Sequence, residues 1–299
     1  MVLKEKMRLD VKWATRQRLQ YIEVMAFYSG VVTRSDVARA FGISDAAATK
    51  DLKLYSDLAP GNLLYNHSVF GFVPSPSFSN VFADLAPAVT LPIIAANLSV
   101  VGGPYGETSI YGIATEALPL PVRLANPQVV AQITRAICGR RKLRVSYRSL
   151  SERPTQDQRM IEPHALVNSG IRWHVRAYNQ DTYDFRDFVL SRFTQAECLI
   201  ESAESSVQYD DDWVEMVLLK LAPHANLEAK KRQHLLLDYG VDEPGDALIE
   251  IQVRRALIAY LLQRLGVDTT RDHSMNPNIH QLMLLNRDEI EPFAGWVFS

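Results

Sequence analysis

Apolar positions recur at helical spacing over residues 12–28, where Leu19, Tyr21, Ile22, Met25 and Ala26 form the apolar side and Gly30 supplies a stop. Thr33 is placed to cap a short helix running to Phe41, with Val37, Ala38 and Phe41 as its stripe. Gly42-Ile43 makes a tight turn, and Ser44 caps a third helix from Asp45 to about Leu58. Helix, short helix, glycine turn and helix in that order predict a helix-turn-helix. On the third helix Ala48, Leu52 and Tyr55 share one stripe. Ala46, Lys50 and Lys53 turn the opposite way, flanked by Ala47 and Thr49. Past Pro60-Gly61, the segment LLYNHSVFGFVP predicts two short strands around Asn66–Ser68, a wing.

Prolines then crowd the chain over residues 74–134. Short helices are expected around Phe78–Leu85 and Leu91–Leu98, followed by a break at Gly102–Gly106. That glycine cluster lacks the Lys-Ser/Thr of a phosphate loop and reads as a hinge. An amphipathic helix is expected over residues 128–139, stopped by Gly139. Period-two alternation takes over in LRVSYRS, where Leu143, Val145 and Tyr147 alternate with Arg144, Ser146 and Arg148. Residues 162–193 read as three further strands. On the middle one, Ile171, Trp173, Val175 and Ala177 face one way, and Arg172, His174 and Arg176 the other. Beyond the acidic run Asp210–Asp212, a helix is expected over residues 213–222 and a strand or helix over 224–237. A strand over 247–253, a helix from Arg254 to Leu265 and a strand over 280–286 complete an α+β layer.

The total charge of −2 changes little in this picture, but its distribution matters. Residues 1–60 carry +3, 61–134 carry −2, 135–192 carry +6 and 193–299 carry −9. Two basic blocks suit two sited anion contacts rather than non-specific coating of nucleic acid. In the first block, small residues near the start of the third helix let it approach base edges, while Thr49, Lys50 and Lys53 can contact bases or phosphates. Arg34, Ser44 and His67 join Ala46 and Ala47 as the remaining expected DNA contacts. In the second block, guanidinium forks match phosphate or carboxylate oxygens. The expected anion contacts are Ser146, Tyr147, Arg148, His164, Arg172, His174, Arg176, Arg186 and Arg192. Neighbouring cations should keep His174 neutral. The strands alone leave open which of their faces lines a pocket. Cys138 and Cys198 are far apart and read as reduced thiols of a cytoplasmic, nucleoid-associated protein. The charged N-terminus does not read as a signal peptide, and no apolar run has membrane-spanning length. Asp238, His273 and His280 match no metal-site spacing, and neither metal nor cofactor is expected.

The motifs of residues 141–193 resemble the WYL domain. Trp173-His174-Val175 stands at the Trp-Tyr-Leu position and keeps only its Trp. Tyr147-Arg148, Ile161-Glu162-Pro163, Phe185-Arg186 and Ser191-Arg192 supply the wider frame. Trp13–Leu19 and Phe41–Ser44 are similar to the BrxR/CapW group, which controls phage-defence gene clusters. The resemblance implies an Sm-like, SH3-type β-barrel that binds ligand and regulates an attached DNA-binding domain, with a C-terminal extension joining two subunits.

The expected fold class is therefore α+β multidomain. A winged helix-turn-helix (1–75) is followed by a helical linker (76–134), a WYL barrel (135–205) and a C-terminal dimerisation domain (206–299). The expected function is a homodimeric DNA-binding regulator, a repressor of a phage-defence cluster acting on an inverted repeat. Its barrel would sense a nucleotide or oligonucleotide. No Gly-x-Ser-x-Gly, P-loop, His-Glu-x-x-His or paired-Cys site supports catalysis. Two alternatives are a nucleotide-processing enzyme with an accessory helix-turn-helix and an RNA-binding Sm-like protein.

Overall fold

Helix α1, Trp13–Ser29, has buried residues at Leu19 and throughout Tyr21–Ala26, so the helix is covered on every side over that last stretch, while Trp13 and Phe27 are exposed. The computed structural model describes residues 11–96, 110–115, 118, 124–150, 158–241 and 248–298. The chain divides into two bodies, residues 1–119 and 120–299.

In the first body, α2 (Arg34–Phe41) starts on a capping box. Asp36 N donates to Thr33 Oγ1 at 3.2 Å, and Thr33 N donates to Asp36 Oδ2 at 2.9 Å. Gly42, at φ +62°, turns the chain through the left-handed region that a residue with a Cβ resists. Ser44 then caps α3, Asp45–Leu58, by accepting from Ala47 N. Ala48, Leu52 and Tyr55 are buried, as the helical period requires. A bidentate pair, Arg18 Nε to Asp51 Oδ2 at 2.6 Å and Nη2 to Oδ1 at 3.2 Å, fastens α3 to α1. Strands β1 (Leu63–Asn66) and β2 (Gly71–Pro74) pair antiparallel from Leu63↔Pro74 to Asn66↔Gly71. The unit is a winged helix-turn-helix, its wing turn extending to Phe70 rather than ending at Ser68.

The expected helix over Phe78–Leu85 does not form. The N–H groups of Val81, Phe82 and Ala83 are given instead to the buried Glu23 carboxylate, at 2.8, 2.8 and 2.7 Å. The next helix, α4, spans Pro87–Ala95 and starts four residues before the expected Leu91, with proline in its first turn. Residues 97 and 98 of that expected helix, and the Gly102–Gly106 break, lie outside the described residues. Phe82, Ala83, Ile94 and Tyr111 belong to the first body's apolar core.

The second body opens with α5, Pro127–Gly139. Gly139 lies inside this helix rather than stopping it, and Arg140 takes the left-handed cap at φ +49°. Val129, Ile133 and Ala136 pack into the core of a five-stranded antiparallel sheet, so this expected linker helix is part of the sheet's own body. The strands are β3 (Arg141–Tyr147), β4 (Gln158–Asn168), β5 (Trp173–Asn179), β6 (Asp184–Val189) and β7 (Phe193–Ser202), in the order β6-β5-β4-β3-β7. The sheet curls on itself, because Phe188 of edge strand β6 reaches Tyr147 of β3 with ring centroids 5.2 Å apart. Among the described residues, β6 and β7 are the two edges of this curled sheet.

The run Trp213–Ala222, expected as one helix, is short helix α6 (Asp211–Val214) followed by strand β8 (Met216–Pro223). A short, nearly continuous apolar run fits either period, and pairing on both sides decides for the strand. Strand β9 (Ile249–Arg254) pairs with β8 from Met216↔Arg254 to Leu221↔Ile249, and β10 (Leu282–Leu284) lies on its other edge. Helix α7, Ala229–Asp238, precedes β9. Helix α8, Ile258–Leu265, buries Ile258, Ala259 and Leu262, and α9 spans Arg287–Ile290. No helix among the described residues is long and apolar enough to cross a membrane.

Candidate functional site

In the first body, α3 is held from behind by Asp51, Leu52 and Tyr55, which leaves its front to solvent. Ser44, Ala46, Thr49, Lys50 and Lys53 are exposed there, and Ala47 is half-buried. Thr49 Oγ1 donates to Asp45 O at 2.8 Å, which keeps its methyl group and not its hydroxyl free. Arg34, exposed at the start of α2, pairs with Asp45 at 3.2 Å. A cleft of about 660 Å³ separates the helices from the wing, and Arg34, Thr49, Lys53, Tyr65 and Phe70 line it. His67 is exposed on the wing turn with its ring 4.9 Å from that of Tyr65. Tyr65 and Phe70, which are not among the expected DNA contacts, line the same cleft. Their sidedness depends on a wing turn whose length was set one way in the sequence and another in the fold.

In the second body the nine expected anion contacts do not form one cluster. The register pairs Arg176 with Asp187 and Ala177 with Arg186, which puts the two arginines on opposite faces of the sheet. Arg186 is exposed and pairs with Asp184 at 2.8 Å. Tyr147 is buried in the core, and its hydroxyl accepts from Val189 N at 3.0 Å. The Arg159 guanidinium, which the sequence reading did not single out, lies 5.3 Å from the Tyr147 ring centre. Ser146 is half-buried and its hydroxyl donates to Gln195 at 3.4 Å.

His164, Arg172, His174, Arg176 and Arg192 gather on the face of β5 that looks toward the C-terminal elements. Arg176, 4% exposed, donates from Nε and Nη2 to the two oxygens of Asp210 at 2.8 and 2.7 Å. Its Nη1 lies 3.6 Å from Asp187, and its Nη2 lies 3.7 Å from Asp212. His164 also holds Asp210, from Nε2 at 2.9 Å. Burial alone would raise the Asp210 carboxyl, but the bonds from Arg176 and His164 outweigh it and hold the group at about 2. The His174 ring is buried against that of Tyr260 on α8, 4.7 Å between centres. Burial, and then the charges of Arg172 and Arg192, lower its pKa to about 4, so it is neutral at physiological pH. Arg172 is exposed in the β4–β5 turn, and Arg192 is half-buried after β6. Arg148, also exposed, is tied to Arg192 through the backbone, N to O at 3.1 Å. Arg172 and Arg192 thus remain as cations near the His174 imidazole, while Arg176 is committed to carboxylates. Asp187, Asp210 and Tyr260 complete this arrangement. The acidic run was visible in the sequence only as a domain edge, because nothing local links it to β5. Among the described residues, no group of three or more His, Cys, Asp or Glu side chains could hold a metal ion.

Comparison with known proteins covers all three parts. The BrxR transcriptional regulator winged helix-turn-helix domain matches residues 14–94, the WYL domain residues 128–198, and the BrxR transcriptional regulator C-terminal dimerization domain residues 216–290. A DNA-binding transcriptional repressor CapW of Pseudomonas aeruginosa is 33% identical over 95% of this chain and 93% of its own. CapW of Escherichia coli (strain KTE188) is 32% identical over 96% and 94%, and that of Stenotrophomonas maltophilia 29% over 94% and 92%. Among solved structures, proteasome accessory factor B/C (PafBC) of Arthrobacter aurescens aligns with 95% of this chain and 48% of its own, at 18% identity and a TM-score of 0.26. The chain spans about half of that protein, and a score so low carries no argument.

Proposed function

Because the chain belongs to the BrxR/CapW group of WYL-domain transcriptional regulators, we propose that it is a homodimeric repressor that releases its operator when an anionic effector binds the WYL sheet. The observation that carries the DNA half is the division of labour on α3. One side is fastened to α1 through Arg18 and Asp51, and the other presents Ala46, Thr49, Lys50 and Lys53 to solvent. A dimer would set two such helices in successive major grooves of an inverted repeat, with the wing and Arg34 on the flanking backbone. Arg148, Arg172 and Arg192 support the effector half, which takes a nucleotide or nucleic-acid ligand. For release, that ligand must bind the DNA-incompetent arrangement more tightly than the competent one. The genes controlled are those of a phage-defence cluster, and the protein acts without catalysis or a cofactor.

The test is a footprint of the purified protein on its own upstream DNA. Protection of an inverted repeat is expected, and an unprotected duplex overturns the reading. Lys50→Ala should weaken operator binding and lower the slope of log affinity against log salt by about one phosphate's worth.

A further inference from the structure

Between Glu201 and Met216, Asp210 is the single buried residue. This strap leads from β7 into β8, the first strand of the region matching the dimerization domain. It is tethered before Asp210, where Glu204 N and Ser205 N donate to Glu162, and after it, where Arg255 pairs with Asp212 and Glu215. Trp213 packs edge-on to His164 at 5.3 Å, with Arg254 over its ring. Midway, Asp210 enters the β5 face like the pin of a clasp. Its two oxygens receive Arg176 Nε, Arg176 Nη2, His164 Nε2 and its own strap's Trp213 N. Two side chains that the sequence reading assigned to an anionic ligand thus converge on one carboxylate of the protein itself.

We propose that Asp210 is a built-in occupant of an anion site formed by Arg176 and His164, and that the effector acts by displacing it. This rests on the reading of the WYL sheet as the effector site. A guanidinium fork and an imidazole N–H left without an acceptor in a buried setting are strongly disfavoured, so the carboxylate does not leave unless another anion takes its bonds. The surroundings fix the charge of that anion. Asp187 and Asp212 already lie within 3.7 Å of the same guanidinium. A dianion entering among them would add a negative charge, whereas a monoanion exchanges charge for charge. A phosphodiester fits, with one charge and two free oxygens spaced to accept the Arg176 fork. Its release of Asp210 frees the strap at the entrance to β8. At the same time it disturbs Asp187, to which Tyr260 of α8 donates at 3.2 Å. The site therefore couples effector binding to the C-terminal region.

The full-length protein is titrated with three probes: a short single-stranded DNA oligonucleotide without terminal phosphates, a cyclic dinucleotide, and a nucleoside 5′-monophosphate. Whichever of the first two binds identifies the source of the phosphodiester. Asp210→Asn, which removes the competing charge and keeps the shape, should tighten its binding by about tenfold or more. In the wild-type protein, hydrogen–deuterium exchange of the amides of residues 211–215 should accelerate on adding that probe, a readout that needs no variant. If the probe binds with these amides unchanged and Asp210→Asn gains nothing, the displacement is overturned while the sheet's role as sensor stands. Loss of that same binding in Arg172→Ala and Arg192→Ala would then locate it. If the monophosphate competes as well as the phosphodiester, the charge-matching argument fails. If neither phosphodiester binds wild type or variant, both the displacement and the sensor reading fall.

Discussion

Glu23 shows what a single residue can decide. It sits fully buried on α1, where its two oxygens accept three backbone N–H groups from residues 81–83 and the Tyr55 hydroxyl. A carboxylate is tolerated at such a position only when its lone pairs are filled, and here four donors fill them. The same bonds help explain why residues 78–85 are not helical, since the N–H groups of residues 81–83 are spent on a side chain nearly 60 positions upstream. Glu23→Gln would turn an NH2 group toward donors and lose at least two of these bonds. A loss of about 3 kcal/mol is expected in chemical denaturation of the full chain. In the sequence Glu23 is one polar letter in an apolar run, and nothing local marks it as the anchor of a distant loop.

At the scale of elements, the seam between β5 and α8 carries a titration with a definite sign. The folded protein keeps His174 neutral down to about pH 4, whereas the unfolded chain takes up a proton near 6.5. Its contribution is therefore complete above pH 6.5 and is lost as pH falls through the window from 6.5 to 4. Asp187, raised by burial, acts with the opposite sign, because its contribution declines as pH rises. Comparing His174→Phe with wild type isolates the histidine. Urea midpoints at pH 7.5 and 5 should differ less in the variant, which keeps a ring against Tyr260 but has nothing to protonate. Elements also mark where the chain was legible. The helices of the first body follow from cap residues and stripe positions close together in sequence, Thr33 with Asp36 and Ser44 with Ala47. Strand β8 was not legible, because its apolar run takes its period from the partners β9 and β10.

For the whole molecule, the proposed dimer makes spacing a geometric requirement. Two α3 helices related by a two-fold axis read half-sites one helical turn apart or a multiple of it. Inserting about 5 base pairs between the half-sites turns one of them to the opposite side of the duplex and should reduce affinity to the non-specific level, while about 10 should restore much of it. Gel-shift titrations against the three operators check this. The sequence by itself determined the order of parts, the helix-turn-helix with its caps, the alternation in β3 and β5, and the segregation of positive charge, since each is written in neighbours a few residues apart. Only the tertiary structure decided which of the arginines remain available. Strand register put Arg186 and Arg176 on opposite faces, and Asp210, 34 residues past Arg176, claimed its guanidinium. Such pairing is a property of three-dimensional neighbours, where burial makes an unpaired charge costly, and it leaves no periodic trace along the chain.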